Sequence, residues 1–171
     1  MIIHQKIELA PATRKQRPIL ANLLELYIHE FSEFLDIDIG PDGRFGYKHL
    51  ALYWTEPTRQ PFLIRIDGKL AGFAFVKQGS AISGKETVWD MAEFFILRGH
   101  RRRGIGTKVA HNVWNLFPGP WEVRVMESNV QAHPFWTRAI SSFTGKPISP
   151  TSMEKDGQLW RVFSFESRPV R

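Results

Sequence analysis

The chain of 171 residues contains no cysteine. This absence excludes disulfide frameworks, thiolate zinc sites, iron–sulfur clusters and any reaction that holds an acyl group on a cysteine. Long apolar runs are also missing: no stretch approaches the roughly 18 residues that a membrane-spanning helix needs, and the N-terminal segment lacks an apolar core followed by a cleavage site. We therefore expect a cytoplasmic protein with no membrane partner.

Repeats, low-complexity tracts and long flexible linkers are absent as well, which predicts a single domain over residues 1–171. A hydrophobic content of 43%, with 13 Phe and 6 Trp, supplies material for a core. The 23 Lys and Arg residues outnumber the 17 Asp and Glu residues, so the net charge is +6. This balance favours an anionic partner, but nucleic acid, a phosphorylated cofactor and plain solubility all agree with it.

Apolar periodicity and turn residues predict an α/β fold with a mixed sheet. A strand is expected first, and the chain then alternates between helices and strands in the order β-α-α-β-β-β-α-β-α-β-β. The predicted helices cover residues 16–35, 47–54, 104–116 and 132–140. The predicted strands cover 62–66, 70–76, 88–97, 121–125, 148–153 and 159–165. Because adjacent hairpins and strand-helix-strand crossovers both occur, the sheet is expected to mix antiparallel and parallel pairs.

The segment 98–108 joins a predicted strand to a predicted helix and contains five of the 23 basic residues within 11 positions. Gly104 and Gly106 allow a tight turn, and the first-turn N–H groups of a helix bind phosphate well. The segment fits neither a P-loop nor a dinucleotide fingerprint. Its context favours a phosphate cradle over the alternative, a solvated basic turn.

This segment and a second one resemble known sequence motifs. Residues 91–106 resemble motif A of the GNAT superfamily of N-acetyltransferases, in which Arg101, Gly104 and Gly106 match the signature. Residues 129–136 resemble the family's Asn-x-x-Ala-x-x-Phe-Tyr segment. The resemblance covers most of the chain and is most specific over 88–140. It implies a mostly antiparallel sheet of about six or seven strands with about four helices, in which the fourth and fifth strands, 88–97 and 121–125, splay apart.

The resemblance also implies acetyl-CoA as co-substrate. The backbone of residues 101–106 would hold its pyrophosphate, and Arg102, Arg103 and Lys108 would add positive charge. The family often places a tyrosine where this chain has Trp136, whose indole is a poor proton donor; stacking on the pantetheine and packing in the core are the two alternatives. The cofactor-binding residues implied are Phe95, Ile96, Leu97, Arg101, Arg102, Arg103, Gly104, Ile105, Gly106, Thr107, Asn129, Phe135 and Trp136.

Transfer to an amine requires a group that removes the proton of the alkylammonium, since its pKa is about 10.4. Glu93 is the first candidate because it stands in an otherwise apolar strand, and Asp90 is the reserve. The alternative is that Glu93 pairs with a cation or lies at the rim of the sheet. Since cysteine is absent, direct attack by the amine in a ternary complex is predicted. The six histidines lack zinc-binding spacings, so no metal is expected.

Acidic residues gather in the segment 29–46, where five of them stand against one arginine. In the resembling family this region lines the acceptor side, so we predict that Glu30, Glu33 and Asp36 attract a small cationic amine, for example an aminoglycoside. A solvated helix face is the alternative. A protein N-terminus or lysine as acceptor, a nucleic-acid-binding module and a non-catalytic acyl-CoA sensor also stay open, although no nucleic acid partner is expected. The apolar final hairpin leaves a homodimer open.

Overall fold

The structure is a computed structural model that describes residues 5–168. Residues 1–4 and 169–171 of the predicted 1–171 domain lie outside the described part. The helices are α1 (Arg17–Phe31), α2 (Ile105–Leu116) and α3 (Ala132–Thr144), and short 3-10 helices cover Arg14–Gln16, Leu50–Trp54 and Arg98–His100. The strands are β1 (Ile7–Pro11), β2 (Arg59–Ile66), β3 (Lys69–Gln78), β4 (Trp89–Ile96), β5 (Gly119–Met126), β6 (Thr151–Lys155) and β7 (Gln158–Ser167).

The strands form a seven-stranded sheet in the order β1-β2-β3-β4-β5-β7-β6. β4 pairs with β5 in parallel, whereas β1–β2, β5–β7 and β6–β7 are antiparallel, so the predicted mixed sheet is confirmed. Two Asp-Gly turns, at Asp67 and at Asp156, have positive φ at both of their residues. Such turns match the twist of the flanking strands, which explains why both hairpins were predictable from sequence.

The helices differ from the predicted ones by more than one residue at three places. α3 runs to Thr144 rather than to residue 140 and is closed by Gly145, which has φ of 69°. α1 ends at Phe31 rather than at residue 35, because Ser32 Oγ bonds the carbonyl of His29 at 2.6 Å and competes with the helical backbone. The predicted helix 47–54 is the 3-10 helix Leu50–Trp54, a short turn that is tied down when Trp54 Nε1 donates to the carbonyl of Ala12 at 2.9 Å. The described residues therefore contain three α-helices rather than about four.

The described residues pack as two compact units. The first comprises the chain up to Phe75 together with Glu93–Leu97, and the second comprises Val76–Ala92 and the residues from Arg98 onward. A single domain over the whole chain stays a prediction. The core of the first unit consists of buried apolar side chains from α1, β2, β3 and β4: Leu20, Leu23, Leu24, Phe62, Ile64, Phe73, Phe75 and Phe95.

In the second unit, α3 packs on α2, β5 and β7. α2 buries one apolar stripe, and Trp114 near its C-terminal end is fully enclosed. Ser167 Oγ on β7 donates to the carbonyl of Trp114 at 2.7 Å, which ties the strand to the end of α2. α2 is thus well packed, and this packing fixes its N-terminus. We call residues 98–104, which precede α2, the basic turn.

Candidate active site

Glu93 on β4 is held by two tyrosines of the first unit. Tyr27 Oη, on α1, donates to Glu93 Oε2 at 2.7 Å, and Tyr47 Oη, in the loop before the Leu50–Trp54 helix, donates to Glu93 Oε1 at 3.0 Å. Each carboxylate oxygen therefore receives one phenolic hydrogen bond. The position of β4 is fixed locally by Gly72 on β3, where an added Cβ would lie 1.9 Å from the carbonyl oxygen of Phe95.

Aromatic packing holds these phenols in place. The ring of Tyr27 makes edge contacts with Phe31, Phe73 and Phe95, with centroids 4.6–5.6 Å apart. The ring of Tyr53 lies 4.2 Å from that of Phe75. All three tyrosines of the chain belong to this group. We call Glu93, Tyr27, Tyr47 and Tyr53 the tyrosine cluster.

The electrostatics of the tyrosine cluster keep its phenols protonated. Burial raises the pKa of Tyr47 and of Tyr53, and the charge of Glu93 raises both further. Tyr47 is thus a hydrogen-bond donor at every physiological pH, and the carboxylate is the acceptor. Tyr53 is only 3% exposed, and its hydroxyl has no hydrogen-bond partner among the described residues. The guanidinium of Arg59 lies 5.5 Å from the centre of its ring.

Sequence reasoning missed the tyrosines of this cluster. Their rarity was the one available signal, because a chain with 13 Phe and 3 Tyr uses the phenol hydroxyl sparingly. Tyr27 also stands on the apolar stripe of α1, where a polar tip needs a buried partner. The partner itself could not be read from the sequence.

The basic turn lies in the second unit and leads into α2. Gly104 is the N-cap residue of α2 with φ of 73°, and no side chain caps this helix end in the described part of the chain. Ile105 is 2% exposed and anchors the first turn in the core. The first-turn N–H groups of α2 have no intrahelical acceptors, and no side chain of the described residues caps them.

The residues of this turn fit a diphosphate anion. Arg102, Arg103 and Gly104 are exposed, whereas Arg101, Gly106 and Thr107 are half-buried. A Cβ added to Gly104 would meet nothing within 4 Å, so the space in front of the helix end is open. Helix-end N–H groups, open space and flanking guanidinium groups are together the donor set that a pyrophosphate requires.

The remaining residues predicted to contact a cofactor are buried or half-buried: Phe95, Ile96 and Trp136 are buried, and Leu97, Asn129 and Phe135 are half-buried. Phe95 and Ile96 lie in the core of the first unit, and the N–H of Leu97 donates to the carbonyl of Ala71 at 2.8 Å. In the second unit, Asn129 stands in the turn before α3, where its carbonyl accepts from the N–H of Ala132.

Trp136 is a core residue of the second unit. It is 7% exposed and packs against Trp114, with ring centroids 6.3 Å apart, and against Phe135 at 4.8 Å. A contact between Trp136 and the pantetheine of acetyl-CoA stays a prediction.

Asp90, the reserve base, has a different environment from Glu93. It is fully buried, its Oδ2 lies 3.2 Å from Arg124 Nε and 3.8 Å from Lys77 Nζ, and burial raises its pKa while the two cations lower it. Because side chains alternate along β4, Asp90 and Glu93 lie on opposite faces of the strand. Glu93 is the carboxylate with phenolic donors, and Asp90 is the carboxylate in an ion-pair network.

The acidic segment, residues 29–46, begins in the last turn of α1, and another carboxylate holds its C-terminal end. Glu25 accepts the backbone N–H groups of Phe45 and Gly46 at 2.7 and 3.0 Å, which fixes the loop that returns toward Tyr47. Glu33 and Asp36 are exposed, and Glu30 is half-buried. Sequence reasoning did not single out Glu25, since a helical glutamate carries no sign of its loop partner.

Two further findings concern residues 5–168. No cluster of three or more His, Asp or Glu residues there could hold a metal ion. None of the helices in this range is both long and apolar enough to cross a membrane.

Comparison with known proteins gives the family. The model of the Acetyltransferase (GNAT) family matches residues 20–140, which include most of α1, Glu93, the basic turn and most of α3. This chain belongs to the GNAT family of acetyltransferases. GNAT enzymes move an acetyl group from acetyl-CoA to an amine, so the chain is an N-acetyltransferase that uses acetyl-CoA.

Solved structures show the same GNAT fold. An acetyltransferase from Thermus thermophilus has a TM-score of 0.70 and 17% identity, with 94% of this chain and 97% of that chain covered. Aminoglycoside acetyltransferase AAC(6')-Ib, in complex with coenzyme A, has a TM-score of 0.66 and 13% identity, with 94% and 95% covered. NAA60 of Arabidopsis thaliana, with a bisubstrate analogue, has a TM-score of 0.62 and 17% identity, with 94% and 98% covered. A search of curated proteins found no significant sequence match.

Proposed function

We propose that this GNAT enzyme acetylates the primary amine of a small cationic molecule by direct attack in a ternary complex. The observation that carries the proposal is the Glu93 carboxylate, which two phenols hold in an aromatic setting within the unit that also contains the acidic segment. A carboxylate that accepts two hydrogen bonds is stabilised in its ionised form. It can attract an ammonium group and then accept the ammonium's proton.

The chain's own residues have separate parts in this mechanism. Glu93 takes the proton from the ammonium, directly or through one water, and Tyr27 and Tyr47 orient its carboxylate. Bound acetyl-CoA supplies the thioester carbonyl that the neutral amine attacks. No cysteine is present to carry the acetyl group, and we propose that the amine attacks while both substrates are bound.

For the donor, we propose that the backbone of residues 101–106 binds the pyrophosphate, with charge added by Arg102, Arg103 and Lys108. An indole N–H does not release its proton near neutral pH, so water or another group would return a proton to the leaving thiolate rather than Trp136. The proposed donor contacts also include Phe95, Ile96, Leu97, Thr107, Asn129 and Phe135.

For the acceptor, we propose that Glu30, Glu33 and Asp36 provide negative potential outside the tyrosine cluster. Exposed charges contribute weakly to affinity but accelerate the encounter with a cation, and salt screens both effects. A cytoplasmic location and a homodimer through the β6–β7 hairpin both stay predictions.

An amine panel tests the acceptor class. Coenzyme A release would be measured with polyamines, aminoglycosides, amines that carry no second charge, and peptides with a free N-terminus or lysine. We expect kcat/KM to be about tenfold higher for polycationic small amines than for singly charged ones, and the advantage to shrink with salt. Varying both substrates should give intersecting double-reciprocal lines, whereas parallel lines would exclude the ternary complex.

Two triple variants, each of which removes three negative charges, test whether the acidic segment causes this preference. Replacing Glu30 and Glu33 with Gln and Asp36 with Asn should remove the preference for polycations. The same change in charge at Glu86, Glu154 and Asp156, three exposed acids of the second unit, should leave it intact. Peptides as the best substrates would indicate a protein acceptor instead, and binding of coenzyme A without turnover of any amine would favour the acyl-CoA sensor.

The tyrosine cluster makes a prediction about pH. Tyr47→Phe and Tyr27→Phe each remove one donor that stabilises the ionised form of Glu93, so the acidic limb of the kcat/KM profile should move to higher pH. Tyr53→Phe is the matched control, because Tyr53 makes no hydrogen bond to Glu93, and its acidic limb should stay in place. If neither Tyr27→Phe nor Tyr47→Phe moves the acidic limb, then Glu93 is not the titrating group.

A further inference from the structure

The parallel pairing of β4 with β5 ends in an unusual way. The register pairs Trp89 with Trp121 and Asp90 with Glu122. Continued by two residues, this register sets Ala92 opposite Arg124. There the carbonyl oxygen of Ala92 accepts a hydrogen bond from a side chain, Arg124 Nη2, at 3.2 Å.

The same guanidinium also holds a carboxylate of β4. Arg124 Nε donates to Asp90 Oδ2 at 3.2 Å, so one planar group on β5 binds both the side chain of Asp90 and the backbone of Ala92. Asp90 is fully buried, and its Oδ1 has no hydrogen-bond partner among the described residues. A buried carboxylate with few partners depends strongly on the cation it has, and here Lys77 is farther away, at 3.8 Å.

A third contact fixes the plane of the guanidinium. Arg124 lies over the ring of Trp160 on β7, 5.4 Å from its centre, and the side chain of Arg124 is 17% exposed. The other charged groups near Asp90 are Lys77 and Glu122; Glu122 is itself buried, and Ser83 and Lys85 bind it. Arg124 is therefore locked on three sides in a geometry that only a planar, forked donor can satisfy.

The location of this bridge relates it to the donor site. β4 and β5 are parallel neighbours, so the segments that follow them in the chain leave the sheet at the same edge. In the second unit, α2 begins at the basic turn that follows β4, and α3 begins just after the turn that follows β5. Ala92, which accepts the bond from Arg124, is the last residue of β4 that belongs to the second unit.

We infer that Arg124 is a positioning residue for acetyl-CoA, an inference that rests on the donor site proposed above: its bridge to Asp90 and Ala92 fixes the point at which the β4–β5 ladder ends and so shapes the second unit's part of that site. This side-chain bridge links β4 to β5 just beyond the last pair of the backbone ladder.

The test is Arg124→Lys, because lysine keeps the positive charge for Asp90 but cannot bond Asp90 and Ala92 at once. Calorimetric titration with coenzyme A alone should show a Kd that is roughly tenfold higher, while the KM of the acceptor amine changes little. Amide hydrogen exchange of the free protein should accelerate at residues 89–92 and 121–126. Native affinity in Arg124→Lys would overturn the inference, since charge alone would then suffice.

Arg161→Lys is the matched control. Arg161 on β7 forms a forked pair with Glu127 through two bonds of 2.6 Å, so this change also breaks a bidentate arginine–carboxylate contact in the second unit. It should leave the Kd for coenzyme A as it is, and an equal loss in both variants would overturn the inference by indicating general loosening.

A double variant guards against loss of folding. Asp90→Asn with Arg124→Met removes both charges of the pair together, which folded proteins tolerate better than one charge left alone, and methionine has no hydrogen-bond donor. It should melt cooperatively and still bind coenzyme A more weakly, because Ala92 has lost its donor. Native affinity in the folded double variant would contradict the role assigned to Arg124.

Discussion

Replacing Glu93 with glutamine should lower kcat by roughly 100- to 1,000-fold, because a general base typically contributes that much and an amide cannot accept the proton. Glutamine has the shape of glutamate, and its amide oxygen can still accept a bond from Tyr27 or Tyr47, so the tyrosine cluster should keep its packing. The Kd for coenzyme A should not change, since Glu93 has no part in the proposed donor site.

The pH profile separates loss of a base from loss of structure. Without Glu93 the enzyme would rely on amine that is already neutral, so log kcat/KM should rise with a slope of one up to the amine's own pKa of about 10.4. Glu86→Gln, at an exposed carboxylate of the second unit, should retain the native profile. A native rate and native profile in Glu93→Gln would remove Glu93 as the base. Asp90→Asn, which leaves Arg124 without its carboxylate, would then be the next variant to assay.

Gly104→Glu should weaken coenzyme A binding by at least about 100-fold, because it places a carboxylate where the structure offers open space in front of the α2 N-terminus. The new side chain repels the pyrophosphate and competes for the same N–H groups. Its charge also suits the positive end of the helix, so α2 itself should not unfold. Calorimetry at two salt concentrations would measure the loss and its screening.

Gly157 is a close control for this substitution. It has φ of 74° against 73° at Gly104, and at both positions an added Cβ meets nothing within 4 Å. Gly157→Glu therefore has the same backbone strain and the same change in charge, at the β6–β7 turn, and should bind coenzyme A normally. Gly104→Gln separates crowding from charge, because it has the size of glutamate without the anion. Native binding in Gly104→Glu would remove the turn from the donor site.

Much of the fold was accessible from sequence because its signals are local. Asp67-Gly68 and Asp156-Gly157 set the two hairpin turns through the φ that each residue tolerates. Alternation along β4 placed Asp90 and Glu93 on opposite faces, and the structure shows a different set of partners around each. The glycines and arginines of residues 101–106 indicated an anion site because helix-end chemistry needs only neighbours in the chain.

The end of α1 shows where local signals fail. The apolar spacing of Phe31, Phe34 and Leu35 continues the helical pattern, yet the helix stops at Phe31. Ser32 bonds the carbonyl of His29, and Glu25 draws in the loop at Phe45 and Gly46. The periodicity of a sequence does not report such competition for backbone groups.

The sequence by itself determined the family, the use of acetyl-CoA, the mixed sheet and the position of the basic turn, since all of these depend on residues close together in the chain. Only the tertiary structure decided which side chains meet. Tyr27 and Tyr47 reach Glu93 across 66 and 46 residues, and Arg124 reaches Asp90 across 34. Such pairs form because packing of the sheet and helices brings distant segments together, and no local preference of the backbone encodes them.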